Sequence, residues 1–287
     1  MPELPEVETV VRELNQSLPG RRVRGVEVFR RNALGRVSPA AFAAALTGRG
    51  FGPIGRRGKY LLFHLHPGGF LIAHLRMTGK FILSGAAPAR APRRGDPLPA
   101  PEGNPPAHHR VWFHLDDGRT LIFQDMRCFG TLDFVDRLDE SASLAKLGLD
   151  PYAPQFTAGW LAEALAGSRA PLKHWLMDQT RIAGLGNIYA SEVLFRSGLS
   201  PKRRAHRVKR EEAKGLFKAI RTVLNQAIRK NGTTISDFRR VDEKRGEFQR
   251  FLKVYGREGE PCPVCGAAIL RIPQQQRSTF YCRACQR

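Results

Sequence analysis

Apolar residues recur at helical spacing from Pro5 to Ser17, at Val7, Val10, Val11 and Leu14, and Leu18 continues the stripe. Pro5 suits a first helical turn, where no N–H is needed. Glu6 and Glu8 complement the positive end of the helix dipole. Burying that stripe would anchor the leading end of the chain. From Val23 the pattern changes to short strand-like runs at 23–28, 59–65, 70–75, 81–83, 111–115, 120–123 and 130–135. Turn residues such as Pro67-Gly68-Gly69 and Asp116-Asp117-Gly118 separate them, and Ser38-Pro39 opens a short helix over 40–46. After Asp136 helical spacing returns. Thr157 caps a helix to Ala166, Pro171 opens one through Asp178, and Asn187 caps a third to Arg196. A long basic helix then runs from Val208 to Lys230, with Leu216, Ile220, Val223, Leu224 and Ile228 as its buried stripe.

This pattern predicts an α+β chain: an N-terminal antiparallel β-sandwich with flanking helices over 1–136, a helical segment over 137–232, and a tail over 233–287. Residues 84–107 hold seven prolines and read as a mobile surface loop, because that composition builds no core. Residues 233–249 are polar and without periodicity.

Composition narrows the class. Of 287 residues, 42% are apolar, yet no run of about 18 apolar residues exists, so no membrane-spanning helix is expected. The leading end has no basic region followed by an apolar stretch, so no secretory signal is expected. Lys and Arg number 47 against 26 Asp and Glu, a net charge of +21. Such a balance points to nucleic acid, whose phosphates exchange condensed counterions for Lys and Arg. Cys128 stands apart from two CxxC pairs, and a free thiol beside metal-type cysteines argues for a reducing, cytoplasmic setting.

The pairs themselves, Cys262-Pro-Val-Cys265 and Cys282-Arg-Ala-Cys285, predict a tetrahedral four-thiolate zinc site. Four sulfur ligands leave no open position, so the zinc is structural and holds the hairpin 267–281, which carries Arg277 toward a phosphate or groove. The redox alternative would need a thioredoxin-like strand and helix around each pair. Gly184-Leu185-Gly186-Asn187 opens a helix, so its free N–H groups form an anion site. With Lys173 nearby in sequence and the net charge of +21, the expected anion is a DNA phosphate. Lys59 is a third basic candidate. At the leading end, removal of Met1 would leave Pro2 as a secondary amine. An α-amino group has a pKa of roughly 8, so a useful fraction is nucleophilic near neutral pH and forms an iminium with an aldehyde-like carbon. Glu3, one residue on, could exchange the proton.

Jointly these residues carry a resemblance. Met1-Pro-Glu-Leu-Pro-Glu-Val-Glu-Thr9, Gly58-Lys-Tyr-Leu-Leu62, His74-Leu-Arg-Met-Thr-Gly79, Asp125-Met-Arg-Cys-Phe-Gly130, Trp175-Leu-Met-Asp178, Gly184 to Glu192, Val254-Tyr-Gly-Arg257 and the cysteine hairpin resemble the bacterial formamidopyrimidine-DNA glycosylases, end to end. These are the repair enzymes for 8-oxoguanine. The resemblance implies that Pro2 attacks C1′ of the damaged nucleoside, that Glu3 assists opening of the sugar, that Lys59 contacts phosphate and donates a proton in elimination, and that Glu6 supports the site. Met77, Arg127 and Phe129 would fill the void left by a flipped base and wedge the duplex. Lys173, Asn187, Arg277 and Tyr255 would contact phosphates, with Asn187 in a helix–two-turn–helix. Residues 233–249, including Lys244, would be the loop that closes over the flipped base, poorly ordered without substrate.

The resemblance further implies one zinc, duplex DNA with oxidised or abasic sites as partner, a monomer, and the bacterial cytosol. Cys128 departs from the family, which often has a second basic residue there. Two rivals stand beside this reading: the related endonuclease VIII type, which takes oxidised pyrimidines, and a damage-binding module that does not cut. Borohydride trapping on abasic DNA separates the last from an enzyme.

Overall fold

The first four-stranded sheet, order β1-β6-β7-β5, and the second, order β2-β3-β4-β8, are both antiparallel. Their strands are β1 (Val23–Val28), β2 (Gly50–Arg57), β3 (Tyr60–His66), β4 (Phe70–His74), β5 (Gly79–Ser84), β6 (His109–Leu115), β7 (Thr120–Asp125) and β8 (Thr131–Val135). The sheets belong to one compact unit, composed of Met1–Pro2, Glu6–Ala145 and Asn231–Glu247. This computed structural model describes residues 1–35, 37–85, 106–235 and 238–287. Residues 86–105 of the Pro-rich stretch expected to form a surface loop therefore lie outside the described residues.

Alternation along the strands sends one face of each sheet inward. Phe63 of β3 meets Phe81 of β5 with ring centroids 5.4 Å apart, and Phe81 meets Phe123 of β7 at 5.2 Å, so aromatic rings join the two layers. The stripe of α1 (Leu4–Leu14) packs into that core through Val7, Val10, Val11 and Leu14, all buried. Helix α2 (Pro39–Leu46) begins where expected, with Ser38 Oγ accepting from the Ala41 N–H at 3.2 Å. The short α3 (Ala142–Ala145) ends the unit's main stretch.

One strand escapes the sequence pattern. Strand β2 reads Gly-Phe-Gly-Pro-Ile-Gly-Arg-Arg, and its glycines and proline argue against a strand. It pairs with β3 through a register shift between Phe51 and Ile54, leaving Pro53 exposed at the irregularity. There the Asn15 side chain takes the place of a neighbouring strand: its amide donates to Ile54 O at 2.7 Å and its oxygen accepts from Ile54 N–H at 2.8 Å.

Residues 231–247 belong to the same unit. In the polar stretch 233–249, expected to be the loop over the flipped base, the described residues make specific contacts with the sandwich and its first helix. Phe238 is buried in the sandwich core, Val241 N–H donates to Glu13 at 2.8 Å, and Arg240 pairs with the same carboxylate. Scattered polar residues conceal one core phenylalanine and a capped turn.

The second unit comprises Glu3–Pro5, Lys146–Lys230 and Phe248–Arg287. The segments expected at 137–232 and 233–287 thus share it, apart from 231–247. It contains α4 (Ala158–Ala166), α5 (Leu172–Met177), α6 (Asn187–Arg196), α7 (Arg210–Arg229) and the hairpin β9 (Leu270–Gln274) with β10 (Arg277–Tyr281). Thr157 caps α4 as expected, accepting from the Trp160 N–H at 3.1 Å. The helices bury Trp175, Tyr189, Leu216, Ile220 and Leu224 in one core, which Leu4 joins. The chain end is tied to the loop after α6, with Gln286 Nε2 donating to Leu199 O and Arg287 N–H to Gly198 O. Among the described residues no helix is long and apolar enough to cross a membrane.

Because Phe63 touches rings from both layers, Phe63→Ala should cost about 3–5 kcal/mol in urea unfolding. A loss under about 1 kcal/mol would mean that the aromatic stack does not hold the sheets together.

Candidate active site and nucleic-acid interface

Pro2 is buried and belongs to the first unit, whereas Glu3 belongs to the second. There the Glu3 carboxylate accepts backbone N–H groups from Gly186 at 2.7 Å, Ile188 at 2.9 Å and Tyr189 at 3.4 Å. These are the orphan donors at the start of α6, where the helix dipole is positive. The anion expected at Gly184-Leu-Gly-Asn187 was a DNA phosphate; the anion in place is the protein's own carboxylate. Gly186 permits the approach, since a Cβ there would lie 2.4 Å from Glu3 Cδ. Leu4 N–H donates to Gly184 O at 3.1 Å, so two consecutive residues fix the start of the chain to this loop.

Asn187 is not the N-cap that its sequence position suggested. Gly186 occupies the cap, and Asn187 is the first helical residue. Its side chain is used elsewhere: Oδ1 accepts from Lys173 Nζ at 2.6 Å, and Nδ2 donates to Ser278 O at 3.0 Å. Lys173 Nζ also donates to Ser278 O at 3.1 Å and Thr279 Oγ1 at 2.7 Å. Lys173 is 2% exposed, so it joins α5, α6 and β10 from within rather than lying on an open surface. Burial pushes its ammonium down to about 8; Glu3 opposes that shift and Arg277 adds to it. Arg277 is exposed just past the hairpin tip and, with Lys173, Trp175, Arg181 and Gln275, lines a pocket of about 420 Å³.

Tyr255 stands beside this group, its hydroxyl 3.5 Å from Asn187 Nδ2 and its ring edge-on to Phe280. A residue that sequence reading missed sets its backbone. Glu192, 4% exposed on α6, accepts N–H groups from Lys253, Val254 and Tyr255 at 2.9–3.0 Å. Burial raises its pKa against the pull of those three donors. The available signal was an acid on an otherwise apolar helix face, Ile188 to Leu194. Lys244, in the first unit, is exposed and paired with Asp242 at 3.2 Å.

In the first unit Glu6 is buried and accepts from the Thr233 N–H at 2.7 Å. Lys59, in the β2–β3 turn, is 5% exposed. Its charge reaches His74, whose pKa is lowered to about 3 by burial first, then by Arg76 and Lys59. A neutral His74 accepts from the Arg76 N–H at Nδ1, 2.9 Å away. Met77 is half-buried in the loop after β4, and Phe129 is 54% exposed in the loop after β7. The Arg127 guanidinium lies 5.0 Å from the Phe129 ring centre, so cation and ring form one projecting surface.

At the chain end Cys262, Cys265, Cys282 and Cys285 bring their sulfurs within 4.8 Å of one another. Metal–sulfur bonds of about 2.3 Å in a tetrahedron give sulfur–sulfur edges of about 3.8 Å. The spacings Cys262–Cys285 and Cys265–Cys282 are 3.8 and 3.5 Å, so the donor set fits zinc.

The chain matches known families along most of its length. The profile of the formamidopyrimidine-DNA glycosylase N-terminal domain covers residues 1–132, that of the formamidopyrimidine-DNA glycosylase H2TH domain covers 147–239, and that of a zinc finger found in FPG and IleRS covers 259–287. The formamidopyrimidine-DNA glycosylase of Azorhizobium caulinodans is 45% identical over 299 residues, spanning 100% of both chains. The crystal structure of the MutM (Fpg) protein of Thermus thermophilus has a TM-score of 0.85 at 40% identity, covering 99% of this chain and 98% of that one. A Lactococcus lactis Fpg variant in complex with Fapy-dG-containing DNA has a TM-score of 0.86 at 33% identity over 99% of each chain. With the zinc-finger profile lying on all four thiols, the site holds one structural zinc.

Lys173 carries its charge below about 8 and loses it as pH rises through that value. Affinity for duplex DNA at fixed salt should therefore fall roughly tenfold between pH 7 and pH 9, and Lys173→Arg should flatten the profile. An equally steep profile in Lys173→Arg would exclude Lys173 as its source. The lysine's own effect on stability has the opposite sign. Its folded pKa lies below the unfolded value of about 10.4, so stability rises with pH between the two. Chelation should release one zinc per chain and weaken DNA binding by about 10–100-fold, as read by a metallochromic dye and a mobility-shift titration; full binding by the zinc-free chain would contradict a supporting role.

Proposed function

The chain belongs to the formamidopyrimidine-DNA glycosylase family, and from that premise we propose that Pro2, Glu3, Glu6 and Lys59 carry its chemistry. The protein is a bifunctional DNA glycosylase and abasic-site lyase that excises oxidised purines from duplex DNA. The Pro2 amine, freed by loss of Met1, attacks C1′ and the damaged base departs with its bonding electrons. The amine loses its N–H proton, O4′ takes a proton from Glu3 as the C1′–O4′ bond breaks, and the opened adduct of this secondary amine is an iminium whose positive charge acidifies the C2′–H bond. Loss of that proton expels the 3′ phosphate, and a second elimination expels the 5′ phosphate.

What supports the reading most is the start of the chain. A nucleophile on a frayed terminus would be poorly aimed, whereas residues 184–189 hold the Glu3 carboxylate through three backbone N–H donors and the Leu4 N–H through one carbonyl. Glu3 accepts on both oxygens, which holds its carboxylate in one place next to Pro2 in the chain, where it exchanges a proton with the opening sugar and faces a cationic intermediate. Glu6 holds the turn at Thr233, and the buried Lys59 supplies a proton donor in the elimination steps.

Met77, Arg127 and Phe129 fill the space vacated by the flipped base, and Arg127 faces the orphaned base with its guanidinium donors. Lys173, Asn187, Tyr255 and Arg277 hold the DNA backbone, and Lys244 serves the loop over the flipped base. Functionally, 1–136 is the catalytic sandwich, 137–232 the helical DNA-binding part, and 233–287 the lesion loop with the zinc hairpin. It acts as a monomer in the bacterial cytosol, where its DNA is found.

Borohydride reduction on an abasic duplex should yield a covalent adduct at residue 2, and intact mass should show Met1 absent. Pro2→Gly and Glu3→Gln should each lower 8-oxoguanine excision by at least about 100-fold while DNA binding persists. Normal excision by a chain blocked at its leading amine would refute the scheme.

A further inference from the structure

The residues read here as the duplex wedge sit on two loops, 75–78 between β4 and β5 and 126–130 between β7 and β8. Each loop turns through a non-glycine residue in the left-handed region, Arg76 at φ 51° and Cys128 at φ 58°. Such conformations persist where the surroundings over-determine them. Both loops converge on one carboxylate. Asp125, at the end of β7, is 1% exposed.

Its Oδ1 accepts from the Thr78 hydroxyl of the first loop and from the Arg127 N–H of the second, at 3.2 Å. The same Arg127 N–H also reaches Thr78 Oγ1 at 3.0 Å, so the two loops are joined directly as well. Oδ2 accepts from the Gly130 N–H at 2.6 Å, on the far side of Phe129. A Cβ on Gly130 would lie 2.7 Å from the Phe123 ring, so only glycine lets that amide approach. The Asp125 carbonyl is held in turn by Arg110 Nε at 2.7 Å, and Arg110 is itself buried.

We infer that Asp125 is a positioning residue for base extrusion: it locks Met77, Arg127 and Phe129 into a single array, so that they enter the duplex together. The inference rests on the wedge reading of those three residues. The chemistry requires a carboxylate, because the Thr78 hydroxyl, the Arg127 amide and the Gly130 amide are all used as donors. An asparagine of the same shape has one accepting oxygen and would set its NH₂ against an N–H. Without the lock, each loop would have to be ordered during insertion, at a cost to the step that opens the stack.

The test compares two rates in each variant: single-turnover excision of 8-oxoguanine opposite cytosine, and strand cleavage at a preformed abasic site, where no base need be extruded. Asp125→Asn should lower the ratio of excision to cleavage roughly tenfold. It should also lose the fluorescence rise of a 2-aminopurine placed beside the lesion. Thr78→Val should shift the ratio the same way by less, and Thr78→Ser should restore it. The Thr78 pair carries the test if Asp125→Asn does not fold.

An unchanged ratio, an equal fall in both rates, or failure of Thr78→Ser to restore it would overturn the inference. Phe129→Ala, measured in parallel, separates the two claims. If Phe129→Ala lowers the ratio and Asp125→Asn does not, only the positioning role fails; if neither does, the wedge reading fails with it.

Discussion

A carboxylate three residues into the chain, seated in the first turn of α6, is the contact on which the rest depends. Chain ends fray unless something ties them down, and here the tie is electrostatic as well as apolar. Glu3 takes three amide protons at the positive end of a helix while Leu4 is buried among the helical residues beside it. The helix gains a cap that its own Asn187 does not provide. The chain gains fixed positions for its third and fourth residues. Asn187 is thereby released to bond Lys173 and the β10 backbone, so a single capping event frees the side chain that joins α6 to the zinc hairpin.

The same device recurs. Glu6 receives the Thr233 amide, Glu13 the Val241 amide, Asp125 the Arg127 and Gly130 amides, and Glu192 the amides of 253–255. In a chain of net charge +21, acids are scarce, and these are turned inward onto backbone amides. Burying a carboxylate is costly unless its lone pairs are filled. The raised pKa of Glu192 shows that burial outweighs its three donors there. Acids used this way fix loops that no ladder or helix would hold.

Periodicity reports which side chains are buried, and for this chain that was enough to find seven of the eight sandwich strands and all four longer helices of the second unit. It could not find β2, whose glycines and proline are tolerated only because Asn15 repairs the ladder at Ile54. Nor could it find the carboxylate clamps, since Glu3 meets Gly186 across a separation of 183 residues and a lone acid carries no spacing. The glycine loop was legible as an anion site, but its occupant was not. The four thiols were legible because a metal site is written in local spacing. Lys173 was legible as a cation, but its burial was not, since its neighbours come from β10, far along the chain.

The zinc hairpin shows why a metal is needed at all. A two-stranded ribbon is marginal in water, and this one buries only a small cluster around Val254, Ile269 and Phe280 besides two of its cysteines. Its tip is unfavourable too. Gln275 and Gln276 both take positive φ, 44° and 58°, where an L-residue other than glycine or asparagine is disfavoured by roughly 1–2 kcal/mol. That turn delivers Arg277 at the first position of the return strand, while Ser278 and Thr279 turn back to receive Lys173 and Asn187. A tip of Asn-Gly would fold more readily but would give up two long polar side chains beside Arg277. Metal coordination at the base supplies stability that the apolar cluster lacks, and so lets the tip be chosen for what it presents rather than for how well it turns.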